Sequence, residues 1–229
     1  MEYNQFEQPI GKSLIDFSQP KTPTADVLEG KYCRLEKLAS KHINPLFTHF
    51  KEQEDAPNWT YLPDAQPKSY DDFATYIKNK VQTKDPYFFA IIDQFDNDVV
   101  GILSLLRINE PNATIEVGHI HYANKMKRTR IATETHYLLA KYIFDTLGYR
   151  RYEWKCDALN EPSIKAAKRL GFKYEGLFKN HTIYKQRSRD TYWLAMLDDE
   201  WSVYKTKFEN WLNEYNFDES GNQINKLSL

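Results

Sequence analysis

Past about residue 30 the apolar and polar positions alternate in a way that predicts strands and helices in turn. Lys31 to Leu38 repeats with period two, as a half-buried strand does. Ser40 then stands where a cap would start a helix carrying Leu46, Phe47 and Phe50. Ser69 opens a second helical stretch with Phe73, Ile77 and Val81 at four-residue spacing. Tyr87 to Ile92 and Val99 to Leu106 are apolar runs on either side of the turn-rich Asp93 to Asp98. They predict an antiparallel hairpin, which Thr114 to Tyr122 extends into a meander.

The second half repeats the scheme with longer helices. Ala140, Ile143, Phe144 and Leu147 give a helix from Thr133 to Leu147, stopped by Gly148. Arg151 to Ala158 alternates as a strand, and because a helical crossover precedes it, it can lie parallel to its neighbour. Asn160 caps another helix with Pro162 in its first turn, and Leu170-Gly171-Phe172 closes it. Lys173 to Ile183 and Thr191 to Leu197 predict a second hairpin around a polar loop, Lys185 to Asp190. After Asp198 and Asp199 a last helix carries an apolar stripe of Trp201, Tyr204, Phe208, Trp211, Leu212 and Tyr215. The expected fold class is mixed α+β: a central, mostly antiparallel sheet with one parallel pair that can splay, and flanking helices. Residues 1–30 read as an extended arm, 31–200 as one domain, and 201–229 as a C-terminal helix with a frayed tail from Asn216 to Leu229.

Charge narrows the classes of partner. In 229 residues, 31 Lys and Arg stand against 32 Asp and Glu, so a net charge of −1 gives no global attraction to nucleic acid or membrane. Two cysteines without CxxC spacing, no apolar run of about 18 residues and no secretory leader predict a soluble, cytoplasmic protein. The sequons at Asn58, Asn112 and Asn180 then carry no meaning. The histidines lack metal-binding spacing, so no metal is expected, and no P-loop is present.

Basic character is local instead. Lys125, Lys127, Arg128 and Arg130 precede the helix at Thr133, where the helix dipole disfavours each cation by about 0.3–1 kcal/mol. An anion there would reverse that sign, and the free N–H groups of a first helical turn suit a phosphate or pyrophosphate. A solvated basic loop is the competing reading, and so is a contact for nucleic acid or a phosphorylated partner.

The order of strand, basic turn, helix, strand, Asn160-Glu-Pro-Ser163 helix and Gly171-Phe172 resembles the GCN5-related N-acetyltransferase (GNAT) superfamily. Within it the likeness is greatest to the branch that acetylates N-termini of ribosomal proteins. The resemblance spans Lys31 to about Trp201. It implies acetyl-CoA as cofactor, an amine-bearing acceptor, direct attack of the amine on the thioester, and a monomer or homodimer. It places the pyrophosphate on Lys127, Arg128, Thr129, Arg130, Ile131, Ala132 and Thr133. The pantetheine arm would lie along Ile120, His121 and Tyr122, with Asn160 and Ser163 opposite. Lys127 takes the family's Gln/Arg position and Ala132 its last Gly/Ala position, but Arg128 and Arg130 replace glycines. Their amides stay usable provided the turn keeps negative φ.

Acetyl transfer needs a proton for the thiolate and a group acting on the amine. The resemblance gives the first task to Ser163 and the second to Glu116. By strand parity His119 and His121 point away from Glu116 unless a bulge intervenes, so the three would not line one site. Trp59 and Tyr61 stand in an aromatic loop where relatives contact acceptors, although packing competes in a chain that is 15% aromatic. Tyr174, Tyr184 and His181 are looser candidates, and His119 completes the expected acceptor side.

Overall fold

The computed structural model describes residues 2–51 and 53–229. Strands β1 (Glu2–Tyr3) and β2 (Pro9–Ile10) pair with each other. The eight-stranded sheet contains β3 (Val27–Glu29), β4 (Cys33–Lys37), β5 (Tyr87–Asp93), β6 (Val99–Asn109), β7 (Thr114–Tyr122), β8 (Arg151–Asp157), β9 (Lys173–Tyr184) and β10 (Arg187–Leu197). Their spatial order is β3-β4-β5-β6-β7-β8-β10-β9, and β7 and β8 are the parallel neighbours in an otherwise antiparallel sheet. The helices are α1 (Ile43–Phe50), α2 (Tyr70–Val81), α3 (Arg130–Lys141), α4 (Glu161–Arg169) and α5 (Asp198–Trp211). Among the described residues no helix is long and apolar enough to cross a membrane.

The two faces of the sheet are covered by different helices. On one, Phe50 of α1 stacks on His121 of β7, and Lys80 of α2 lies over Phe88 of β5. On the other, Trp154 of β8 packs against His136 of α3 and donates to Ser163 of α4. Helix α5 adds Trp201 and Phe208 against Tyr137 of α3. The mixed α+β class with its single crossover is therefore as the pattern predicts.

Several boundaries differ from the sequence reading, each for a local reason. Ser40 caps nothing: the turn Ser40–His42 starts after Ala39, whose N–H is accepted by Nδ1 of His42, and α1 begins at Ile43. Helix α3 begins at Arg130, three residues early, and runs into a π-helical segment at Tyr142–Leu147 before the left-handed Gly148. The loop expected over 185–190 is a two-residue turn at Lys185 and Gln186, both left-handed, and β10 starts at Arg187. That hairpin stands in solvent, so polar residues fill its strands and hide its pattern. Helix α5 stops at Trp211, which leaves Tyr215 exposed and outside the apolar stripe. The tail is not frayed: Asn216 donates to the carbonyls of Trp211 and Asn225, Trp211 Nε1 donates to Gln223, and Leu227 and Leu229 pack on the core. The N-terminal arm lies on the domain, with the N–H groups of Thr24 and Ala25 on the Tyr142 hydroxyl and β3 at the sheet edge.

One buried side chain ties α3 to the sheet. The Glu134 carboxylate accepts the backbone N–H groups of Lys31, Tyr32 and Cys33, each at 2.7 Å. A Cβ at residue 30 would come within 2.7 Å of that carboxylate, so the approach needs Gly30. Glu134→Gln keeps the shape but turns an NH₂ towards one of the three donors. We expect a loss of about 1.5–3 kcal/mol of unfolding free energy, read as a lower urea midpoint with an unchanged slope.

The core also contains a histidine that stays neutral. His136 Nε2 accepts the Tyr122 hydroxyl at 2.7 Å, and burial, with Arg169 nearby, pushes its pKa down to about 3. The unfolded chain binds this proton below the ordinary value of about 6.5 and the fold refuses it until about 3, so stability is complete above 6.5 and falls as pH drops through that window. The melting temperature should decline from pH 6.5 to pH 4, and the decline should be shallower in His136→Gln.

Candidate active site

The site is where the sheet opens. Strands β7 and β8 pair from Thr114↔Arg151 to Val117↔Trp154 and then part, although β7 runs to Tyr122 and β8 to Asp157. The expected splay is present, and one edge of the β7 backbone faces the gap from Gly118 onward, along Ile120, His121 and Tyr122. At the parting point β7 carries a bulge: Ser104 pairs with Gly118 but Ile102 with His121, so one extra residue is inserted, and His119 takes φ 50°. The bulge reverses the strand's parity. Glu116, His119 and His121 therefore face the same side, the α1/α2 side, against the expectation from simple alternation. His119 touches Ser104 and Phe88 there, and His121 touches Phe50.

At the mouth of the gap stands the N-terminus of α3. Thr129 is its N-cap by backbone, yet its hydroxyl donates to the Met126 carbonyl at 2.7 Å and caps nothing. The first turn holds no acidic residue. Among the described residues its N–H groups at Arg130, Ile131 and Ala132 are thus without a side-chain acceptor, while Thr133, one turn in, accepts Nη1 of Arg169 at 2.9 Å. Two of the four cations counted from the sequence are engaged elsewhere. Lys125 pairs with Asp96 and Asp98 at 3.0 and 2.6 Å, and Lys127 donates to Asn58 and Asn124. Arg128 and Arg130 have no carboxylate partner among the described residues. Arg130 lies over the Tyr32 ring at 4.2 Å, and Arg128 has φ 63°. The proviso of negative φ therefore fails at Arg128, which adopts a left-handed backbone at a cost of about 1–2 kcal/mol.

Across the gap, Asn160 caps α4 by accepting the Ser163 N–H at 3.3 Å, as its position predicts. The Ser163 hydroxyl accepts Trp154 Nε1 at 2.9 Å, which leaves its own hydrogen to donate. Burial pushes the nearby Cys156 thiol up, with the Ser163 hydroxyl acting the other way.

The α1/α2 side of the gap is more highly charged than the sequence suggests. Glu116 is buried and accepts Arg107 Nη1 on both oxygens at 2.7 Å and Lys155 at 2.8 Å. Lys155 also pairs with Glu153 at 2.7 Å, and Arg151 joins Glu153 to Glu175, giving a chain of alternating charges across four strands. Glu116 thus has three of its about four acceptor positions filled. Asp157, buried beside the gap, accepts the Tyr184 hydroxyl at 2.9 Å and the Leu159 N–H at 2.9 Å. Tyr61 donates to the Leu159 carbonyl at 3.0 Å, so Tyr61 and Tyr184 meet on one rim. Trp59 is closed into the core, with its indole N–H on Asp55, and Asp55 also accepts His121 Nε2 at 2.9 Å. Tyr174 packs at a tilt against Tyr192 farther along the hairpin, half exposed, and His181 bonds Thr191.

Sequence reasoning missed Arg107, Lys155, Asp157 and Asp55. The signal for two of them was present: Glu153, Lys155 and Asp157 alternate on β8, a pattern that reads as a solvated face although the Lys155 side chain is only 8% exposed. Nothing local marks Arg107, whose partner Glu116 lies on β7, and although Asp55 bonds Trp59 four residues on, its contact with His121 of β7 has no local sign.

The model of the acetyltransferase (GNAT) domain matches residues 33–173. A crystal structure of a GCN5-related N-acetyltransferase from Brucella melitensis is 38% identical, covers 93% of this chain and 97% of its own, and superposes with a TM-score of 0.91. The uncharacterised N-acetyltransferase p20 of Bacillus licheniformis is 31% identical over 114 residues, which are 50% of this chain and 64% of that one, just under two thirds of its length. RimL, a ribosomal L7/L12 α-N-protein acetyltransferase, is 19% identical with a TM-score of 0.64, covering 75% of this chain and 93% of its own, a likeness of fold alone. With its split parallel pair and a family match over most of the sheet, the chain belongs to the GNAT acetyltransferase family.

Proposed function

We propose that this protein is an acetyl-CoA-dependent N-acetyltransferase that moves the acetyl group to a primary amine by direct attack in a ternary complex. The acceptor is a protein N-terminus or a small amine. The observation that carries this reading is the uncapped start of α3 at the mouth of the gap between β7 and β8. There, N–H groups without a side-chain cap and two arginines with no carboxylate partner among the described residues, Arg128 and Arg130, suit the cofactor's phosphates. The family favours this over a non-catalytic module that binds nucleic acid or a phosphorylated partner through the basic turn. Two free, buried cysteines, Cys33 and Cys156, support a reducing, cytoplasmic setting.

Acetyl-CoA supplies, when bound, a thioester carbonyl open to an amine. Lys127 to Thr133 hold the phosphates through the first-turn amides, with Arg128 and Arg130 adding charge. The open backbone edge at Ile120, His121 and Tyr122 accepts the amides of the pantetheine arm as a neighbouring strand would. Asn160 fixes the start of α4, and Ser163 is placed to give its hydroxyl proton to sulfur. Glu116, held between Arg107 and Lys155, orients the acceptor side of the gap. Tyr61, Tyr184 and His119 line that side, and Trp59 contributes by holding Asp55.

The test is thiol release from acetyl-CoA against a panel of peptide N-termini, polyamines and other small amines. No release with any amine would remove the proposal. Arg128→Ala with Arg130→Ala should weaken acetyl-CoA binding by about 10- to 100-fold in calorimetry and raise KM more than it lowers kcat. Arg128→Gly separates charge from backbone, because it relieves the left-handed strain and should raise stability by up to about 1 kcal/mol while deleting one cation. Ser163→Ala should lower kcat by about 10²-fold with cofactor affinity unchanged, and an unaltered kcat would remove Ser163 from the chemistry.

A further inference from the structure

We propose that His119, set in the bulge of β7 and oriented by Ser104, takes the proton of the acceptor amine on its Nε2. This rests on the amine-acetylating reading above and assigns it a group that Glu116, with most of its acceptor positions filled, does not supply.

The hydrogen-bond inventory favours one imidazole tautomer. Ser104 is fully buried, and its hydroxyl has one hydrogen, which goes to the Gly118 carbonyl at 3.2 Å. With the hydrogen so placed, the Ser104 oxygen can accept at its 3.0 Å contact with His119 Nδ1, and the tautomer with the proton on Nδ1 is the one that turns both contacts into hydrogen bonds. Nε2 is left with a lone pair. It has no partner among the described residues and is not among the sealed, unpartnered polar atoms, so it opens to solvent. The backbone sets the ring at the opening. His119 sits at φ 50°, a strained setting for a residue other than glycine, at the point where the parallel pair parts.

The electrostatic surroundings keep the ring neutral. Burial and the Lys80 ammonium of α2 push its pKa down to about 4. Asp64, which precedes α2 and pairs with Lys80 at 3.2 Å, acts in the opposite sense, and Arg107 of β6 adds to Lys80. Glu116 shares the face, and β5 presents the uncharged Phe88. A weak base suffices because the amine nitrogen becomes acidic as its lone pair turns into the new C–N bond. Nε2 takes that proton and releases it to solvent water, the electron pair of the broken C–S bond stays with sulfur, and Ser163 is placed to protonate it, its hydroxyl regaining a proton from the same solvent. Net, one N–H and one C–S bond are exchanged for one C–N and one S–H bond.

The first readout needs no cofactor. A histidine ring nitrogen correlation spectrum of the cofactor-free protein should show His119, identified by its loss in His119→Asn, protonated at Nδ1 alone, and Ser104→Ala should turn this into a mixture of tautomers. Asn tolerates the left-handed backbone, so the fold should persist. In the acetyl-transfer assay His119→Asn should lose about 10²-fold or more in kcat at pH 7 with unchanged acetyl-CoA binding, and the loss should shrink towards pH 9 as free amine and hydroxide take over. An Nε2–H tautomer, or a His119→Asn variant keeping more than about a third of wild-type turnover, overturns the assignment. A wild type inactive on every amine overturns the acetyltransferase reading and this proposal with it, whereas an active wild type with an equally active variant overturns His119 alone.

Discussion

Everything of functional interest depends on two parallel strands ceasing to pair after Val117 and Trp154. Inside a sheet, unpaired backbone N–H and C=O groups are costly unless something else bonds to them. The protein builds such an edge in the middle of its sheet rather than at its border, and places a helix N-terminus with the same deficit beside it. Both are donor-rich backbone features of fixed geometry, so a ligand that completes them meets little reorganisation. The bulge at His119 is part of the same device, because the residue it inserts turns β7 away from the line of β8 and re-aims the side chains beyond it.

Much of this architecture was legible because its signals are local. The period-two runs of β5, β6 and β7, the Asn160 cap with its Ser163 N–H, and the left-handed stop at Gly148 each depend on residues a few positions apart. What failed to show has non-local causes. The tail from Asn216 looks unstructured because its order comes from carboxamides bonding to carbonyls and from Trp211, not from an apolar period. Glu134 looks like one more helix-surface charge, and only the approach of Gly30 makes it a buried tie between α3 and β4.

The site divides along the same line. Its proposed cofactor side is written in consecutive motifs, whose strand, turn and helices appear in the structure in the order read. Its acceptor side could not be read, since a single inserted residue overturned the face assignment of Glu116, His119 and His121, and no sequence pattern announces a bulge. The same limit hid the charge chain. Glu116 reads as a free carboxylate until Arg107 from β6 and Lys155 from β8 arrive beside it.

The tip of the β9–β10 hairpin bears on how the protein is assembled and how it can change. Lys185 at that turn donates to the Trp59 carbonyl, 126 residues away, and Tyr61 reaches Leu159 across 98 residues. Loop-closure entropy makes such distant contacts form after local ones. The half proposed to hold phosphate, contained within residues 114–172, can therefore take shape before the proposed acceptor opening exists. Each half is then free to drift under separate selection: the first is held by contiguous sequence, while the opening can be reshaped by altering one exposed hairpin tip and one short aromatic loop.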